Sequence, residues 1–573
     1  MYSKSLGERK FLSLFFVSSF KQALTIIALL SDTIIAGHFA DEQGITAMNV
    51  MTPLIAITAF IGSVITMGVS FIHSEAMGET DKKKADKIFG MGIIISIVSG
   101  LFMFMLAEFF YDDYFDTMTL APDVANHAWK YYSFYKFVML IDPLVIFLST
   151  MVYNDGDELI SNISNVTNIF GNIIFSLIFA FVFNMGLAGI ALGTFLKDIM
   201  SIVVLSSHFF RKSNSLNPKI YFSFRDLWKI IKLGFVDSGT YFMWGLLLFV
   251  MNGFIGSIFG TEFLPVLSMT MSILELSVIF DGIALAVIPL VSMYFYEENF
   301  PAVRKVMNLA SKISMIEGLA FSVLLIIFAD YVPLIFGINE TNIIKECIFA
   351  VRVVSSTLVI SSIVYLFETY YVIQNKTFIA VISSFARNLI FIILLSVPLG
   401  LTGNINNMWF GFAAAQILTL IFCSFILVFK YGRELFPLYL ENKNNIADFN
   451  IVLTPENVMN LRTEAEKFMT SLKLSSNIIN RTMLLIEETG MMIIERNKSH
   501  KILAEYTIKI LDDNQARLII RDNGEIFDIT SDDEQVTSLR SYFLSGLMSI
   551  EKHKKNITTM SLNRNVFNIS AKI

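Results

Sequence analysis

The sequence predicts an all-α polytopic membrane protein, twelve transmembrane helices in two six-helix lobes, followed by a small cytoplasmic α+β sandwich domain. Three observations carry this expectation. Of 573 residues, 54% are hydrophobic and 16% are charged, whereas an average soluble domain carries about 25% charged residues. Mean hydropathy is +0.63. Before Tyr431 there are apolar runs long enough to cross a hydrocarbon core, which takes about 20 residues, and after Glu441 there are none.

The runs fall at residues 11–37, 44–73, 87–111, 129–153, 160–184, 187–211, 228–258, 264–295, 305–328, 345–373, 378–399 and 407–431. Asn184-Met185-Gly186 divides the fifth from the sixth, and Gln374-Asn375-Lys376 the tenth from the eleventh. Basic residues crowd alternate connections, at Lys82 to Lys87, Arg211 to Lys232, and Arg304 with Lys305, while the intervening ones carry Asp41, Glu42, Asp112 and Asp113. Because positive charge stays on the cytoplasmic side, both termini are expected there, in the inner or plasma membrane. The N-terminus reads as mature sequence, since its first span holds an internal charge and no small-residue cleavage site follows.

Weak internal similarity supports a six-plus-six repeat. The connection His73 to Lys87 after span two is echoed by Tyr296 to Lys305 after span eight, and Ile163-Ser164-Asn165 opens span five as Ile382-Ser383-Ser384 opens span eleven. Two bundles related in this way place a transport site between them near the midplane. The expected organisation is an amino lobe over 1–218, a carboxy lobe over 219–436, a linker over 437–446 and a soluble domain over 447–573.

Asp32 lies inside the first span, in Leu30-Ser31-Asp32-Thr33-Ile34-Ile35-Ala36-Gly37. A carboxylate at a helix centre costs roughly 2.5–3.5 kcal/mol on insertion scales, so it faces an interior or aqueous cavity and handles ions, protons or substrate. Other intramembrane polar groups, Asn168, Asn172, Glu275, Asp281, Glu317, Glu368 and Arg387, also serve readily as bonds between helices. Asn168 and Asn172 are four apart and share a helical face. No GxxxxGK[ST], HExxH, CxxC or GxSxG occurs, so no motif suggests a P-loop motor, metalloenzyme or membrane hydrolase. Cys347 and Cys423 read as packing residues.

The Asp-Thr-x-x-x-Gly that ends span one, Pro53 in span two, the Asn168/Asn172 pair and the Gly-Leu-Ala-Gly-Ile-Ala-Leu-Gly-Thr entry to span six resemble the multidrug and toxic compound extrusion (MATE) family. The resemblance covers about residues 10 to 432, and includes Arg387 to Pro398 and Trp409 to Ala413. It implies an antiporter that exports organic cations or amphiphiles in exchange for protons or sodium ions. It also implies that Asp32 is the family's first-helix carboxylate, with Asn168 and Thr194 as neutral oxygen ligands of the coupling cation. Asn172 stands where many members have Asp, which weakens sodium binding and favours a proton at Asp32. The first span lacks the proline many members use to bend it, and the family's acidic pair of spans seven and ten is not matched by Asp237 and Glu368. Glu275 and Asp281 are kept as carboxy-lobe polar candidates. No cofactor, no metal beyond a sodium ion at the coupling site and no nucleic-acid partner are expected; the partners are the bilayer, a small cationic or amphiphilic substrate and a regulatory protein on the tail.

In the tail, Leu461 to Leu472 and Ser476 to Glu495 read as amphipathic helices, Tyr506 to Leu511 and Ala516 to Arg521 as strands, Val536 to His553 as a helix and Thr558 to Ile573 as a strand. The Glu487-Glu488 helix, the Asp522-Asn523-Gly524 turn, Ser545-Gly546-Leu547 and the last strand resemble the ATPase fold of histidine kinases and anti-sigma-factor kinases, over about 447 to 573. The resemblance implies nucleotide contacts from Glu488, Asp522, Gly524 and Gly546. Met492 takes the place of the magnesium-holding Asn, and a thioether has little affinity for that ion. The tail therefore reads as an inactive ATPase that binds a nucleotide weakly, binds a protein or stabilises the transporter. Two other readings of the whole chain stay open: a membrane sensor built on a transporter fold, and a flippase for lipid-linked precursors.

Overall fold

The computed structural model describes residues 5–78, 81–110, 113–114, 121–211, 214–433, 436–437, 445–497, 501–512, 515–525, 554–557 and 562–570. Among them, ten helices are long and apolar enough to cross a membrane, and eleven when Thr341–Ser355 and Leu358–Ile373, bent by 44°, are taken as one span. The expectation of twelve separate runs differs at the start of the chain, where the first two join in one helical stretch, Leu6–Gly78. At 1.5 Å per residue that stretch would reach about 110 Å if straight. It is broken instead at Ala40 and Asp41, where Asp41 takes φ +48° and ψ −140°. The break is pinned from the other half of the chain: Asn339 Nδ2 donates to Asp41 Oδ1 at 2.7 Å, and His38 Nε2 lies 3.1 Å from the Ile335 carbonyl.

The expected eighth span is one apolar passage in three pieces, Leu264–Glu275, a 3-10 turn Leu276–Phe280, and Asp281–Tyr296. The two halves pack backbone to backbone where the second part of Leu6–Gly78 crosses the helix Phe224–Ile258. A Cβ on Gly68 would stand 2.1 Å from the Ile230 carbonyl oxygen, and one on Gly234 would stand 1.9 Å from that of Val64. Small residues facing one another allow this approach, as in membrane helix pairs generally. Gly234→Val is expected to push the helices apart and lower the thermal midpoint of the detergent-solubilised protein by several degrees, whereas Gly253→Ala, where a Cβ meets nothing within 4 Å, leaves it unchanged.

The tail holds a five-stranded sheet of antiparallel pairs, in the order β1 (Ile446–Val452), β2 (Leu503–Asp512), β3 (Gln515–Asp522), β5 (Asn563–Ser570) and β4 (Lys554–Ile557). The first strand begins at Ile446, one residue before the expected boundary, and the expected helix 536–553 lies outside the described residues. Side chains alternate across a strand, so the sheet has two faces. Tyr506, Ile508, Leu518, Ile520 and Phe567 pack with the apolar sides of Pro455–Ser471 and Ser476–Arg496. Glu505, Thr507, Lys509 and Arg521 take the opposite face, and that face sits on the helical bundle.

The docking is polar and dense. Arg521 is fully buried, donates to Glu505 Oε1 at 2.7 Å and to Glu297, and lies over the Tyr294 ring at 5.2 Å. Tyr294 donates to Glu505 Oε2 at 2.7 Å, Asn299 Nδ2 bonds Asp448 and Thr507 at 3.1 Å each, and Lys305 reaches Asp448 at 3.2 Å. Leu6, at the start of the first helix, packs with Val452, Leu503 and Leu562. The tail sheet is thus bonded to both the first helix and the Tyr294–Lys305 turn.

Candidate functional site

Asp32 sits on the first helix with its carboxylate turned to Glu158–Leu177 and Leu187–Ser206. Asn172 Nδ2 donates to Asp32 Oδ1 at 2.9 Å; the hydroxyls of Ser176 and Thr194 lie 3.4 Å from Oδ1 and Oδ2. Thr194 Oγ1 is also 3.0 Å from Asn172 Oδ1. Every group bonded to the carboxylate here is a neutral donor. The small residues of the sixth passage make this convergence fit: a Cβ on Gly193 would stand 2.6 Å from the Ser176 nitrogen, and one on Gly189 would stand 2.5 Å from the Phe179 carbonyl carbon. The two helices therefore run backbone to backbone beside Asp32.

Asp32, Asn172 and Thr194 are brought together, and Asn168 is displaced by one helical turn. Its amide donates to Ser201 Oγ at 3.3 Å, and its oxygen accepts from Lys197 Nζ at 3.0 Å. Lys197 also pairs with buried Asp198 at 3.2 Å. Lys197, Asp198, Asp142 and Ser176 were missed by sequence reasoning, although Asp142, Lys197 and Asp198 are charges inside apolar runs and carried the same signal as Asp32.

Asp32 opens onto a cavity of about 660 Å³ between the two halves of the bundle, lined also by Asn172, Lys197, Met48, Leu248 and Met271. A volume of this order suits a drug-sized molecule, and the mixture of apolar wall with a few polar groups is that of a small-molecule site. Glu275 lines the same cavity from the second half. Asp281, its expected companion, does not line it and lies within electrostatic reach of Arg387 and Glu368. Those two form a buried ion pair at 2.9 Å, with the Arg387 guanidinium 4.0 Å from the Tyr365 ring centre. Next to the main cavity, a second of about 490 Å³ is lined by Asn162, Asn165 and Asn168, a polar stripe on one face of Glu158–Leu177, together with Lys21, Asp142 and Lys197.

In the tail, Asp522 and Gly524 come together and Gly546 lies outside the described residues. Asp522 Oδ1 accepts from Gly524 N and Asn563 Nδ2, both at 2.9 Å. Its Oδ2 is buried and has no hydrogen-bond partner among the described residues, and the same holds for Asn563 Oδ1. Burial raises the Asp522 carboxyl above its ordinary range, against the bonds from Asn563 and Gly524. Glu488 is half-buried on the neighbouring helix, and Met492, one turn on, is buried. Among the described residues no group of three His, Cys, Asp or Glu side chains is placed to hold a metal ion.

A raised carboxyl in the folded state means that stability is full below the unfolded value near 4 and falls as pH rises through the folded one. Asp522→Asn is expected to raise tail stability by about 1 kcal/mol at neutral pH, because it removes the cost of burying a carboxylate whose Oδ2 has no partner among the described residues. The gain should vanish at low pH. Hydrogen exchange of β3 at two pH values measures both.

A family model described as MatE matches residues 18–182. The inward-facing structure of a multidrug resistance MATE family transporter of the MOP superfamily superposes with a TM-score of 0.64 at 18% identity, over 72% of this chain and 94% of that one. The fold is that of a MATE transporter. The MATE multidrug transporter DinF-BH superposes at 0.62 and 17% identity over 77% of this chain and all of its own. The multidrug export proteins MepA of Staphylococcus saprophyticus and Staphylococcus haemolyticus are each 21% identical over 395 and 413 residues, which is 86% and 89% of their lengths but 67% and 71% of this chain. The MATE fold thus leaves a surplus comparable in size with the tail.

Proposed function

We propose that this protein exports organic cations or similar amphiphiles across the membrane by antiport, with Asp32 as the group that substrate and coupling ion share. The observation that carries this is the Asp32 carboxylate on the wall of a drug-sized cavity between the two halves, held only by neutral donors. The likeness to proteins named multidrug exporters supports the substrate class. Counting the broken first helix as two crossings and the bent pair as one gives twelve spans, with both termini on the cytoplasmic side of the cell membrane.

The coupling ion is the proton. A sodium ion is held by several oxygen acceptors, whereas Asn172 turns its NH₂ toward Asp32 and so supplies a donor where an ion needs an acceptor. That amide orientation is assigned from the hydrogen-bond network. Deprotonated Asp32 attracts the cation in a low-dielectric cavity, and protonation from outside removes the attraction and releases it. Lys21, Asp142, Lys197 and Glu275 set the remaining charge of the wall. The tail is a docked regulatory domain without ATPase chemistry; Asp522 Oδ2, buried and without a partner among the described residues, leaves it one acceptor with which to hold an adenine amino group weakly.

A second reading, a sensor that reports ligand occupancy through its tail, is favoured by the extensive bonding between the sheet and the Tyr294–Lys305 turn. Efflux of a fluorescent organic cation from energised proteoliposomes, with proton and sodium gradients varied separately, separates the two. Efflux that follows the proton gradient alone supports proton antiport. Ligand binding without flux under either gradient selects the sensor.

A further inference from the structure

The junction between the tail sheet and the bundle encloses a third cavity, about 370 Å³, whose walls include Tyr296, Glu297, Lys509, Arg517 and Arg564. We propose that it binds a phosphoryl group, supplied by an anionic lipid headgroup or by a soluble phosphate, which ties the sheet to the end of the helix Asp281–Tyr296.

The charge balance points to an anion. Glu297 is already shared between Arg521 and Arg564, whose Nη2 stands 2.5 Å from Glu297 Oε1. Lys509 is met by Glu298 at 2.6 Å, and the other side of Arg521 by Glu505. Arg517 has no such counter-charge among the described residues: its Nε donates to Asn568 Oδ1 at 2.8 Å, a neutral acceptor that fixes the side chain without neutralising it. The cavity therefore gathers three cationic side chains from β2, β3 and β5 against one carboxylate that is already spent. A guanidinium offers a planar fork that fits phosphate oxygens in pairs.

Position brings lipid headgroups within reach of the cavity. Tyr296 is the last residue of a membrane-crossing helix, and tyrosines at such ends sit at headgroup depth. Basic pockets at this level on membrane proteins take anionic lipid heads. A phosphoryl group there would bond strands and helix end at once, so its occupancy would control how firmly the tail is held.

The test uses the full chain in phosphatidylcholine nanodiscs, in discs that also contain phosphatidylglycerol, and in phosphatidylcholine discs with inorganic pyrophosphate added. Hydrogen exchange of β2 and β3 is the readout, compared among the intact chain, Arg517→Gln, and Lys467→Gln on an exposed helix face. About tenfold slower exchange is expected when the anion is present, as for one added charge-assisted bond, lost in Arg517→Gln and kept in Lys467→Gln. Slowing by phosphatidylglycerol alone identifies a lipid headgroup, by pyrophosphate alone a soluble phosphate, and by both a site for either. No slowing with either anion, or equal slowing in Arg517→Gln, overturns the proposal.

Discussion

Arg521→Met is expected to release the tail from the bundle. Its guanidinium is fully buried and meets Glu505 and Glu297 while lying over Tyr294. The substitution keeps an apolar stem of similar reach but leaves Glu505 buried without its cation, while Glu297 keeps Arg564. Breaking a buried pair from one side costs about 3–5 kcal/mol, because the charge left behind has lost its partner. The remaining contacts come from Asn299, Lys305 and Leu6 and from the pairs Arg564–Glu297 and Lys509–Glu298; those of Lys305 and Glu298 lie at the partly exposed rim and are worth less each. Exchange protection of β2 and β3 should fall, and trypsin should cut between residues 432 and 446 sooner than in the intact chain. Combining Arg521→Met with Glu505→Gln is expected to restore much of the protection, since it removes the stranded charge. Unchanged protection in Arg521→Met alone would place the holding energy elsewhere on the face.

Asp32→Asn is the second large effect. The amide keeps an acceptor for Asn172 and a group for Thr194, so the helices stay in place while the charge disappears. A cation about 4 Å from a carboxylate gains about 4 kcal/mol at an effective dielectric of 20, and part of that is lost to solvent in the cavity. Binding of an organic cation should weaken about 100-fold, and gradient-driven efflux should stop with the thermal midpoint near that of the intact chain. Loss of folding instead of function would make Asp32 a structural residue.

Much of the membrane part is legible in the sequence because lipid imposes a single rule: a long apolar run must satisfy its own backbone, and a charge inside it needs a reason. Asp32, Asn172 and Thr194 converge as the motif implies. The same rule, applied evenly, would have found Asp142, Lys197 and Asp198, which are charges set in apolar runs as Asp32 is. Asn168 lines the same cavity as Asp32 but does not touch the carboxylate. Periodicity gives the face of a helix but not its depth or its neighbour, so one turn separates a residue at the carboxylate from one bonded to Ser201 and Lys197. In the tail, alternation gives two faces of a sheet, and the helices account for one. What covers the other, the Tyr294–Lys305 turn and the first residues of the chain, depends on side chains some two hundred residues or more away in sequence, as Glu297 with Arg521 and Leu6 with Asn450 illustrate. No local pattern records such pairs.

The most direct measurement of competition at Asp32 is proton release. Purified protein in weakly buffered solution near neutral pH is mixed with a saturating fluorescent organic cation, and the protons set free are counted with a pH-sensitive dye. Proton release that accompanies binding to the intact chain, and none from Asp32→Asn, is the expected result. Saturable binding to the intact chain with no proton released would contradict exchange of substrate for a proton at this carboxylate.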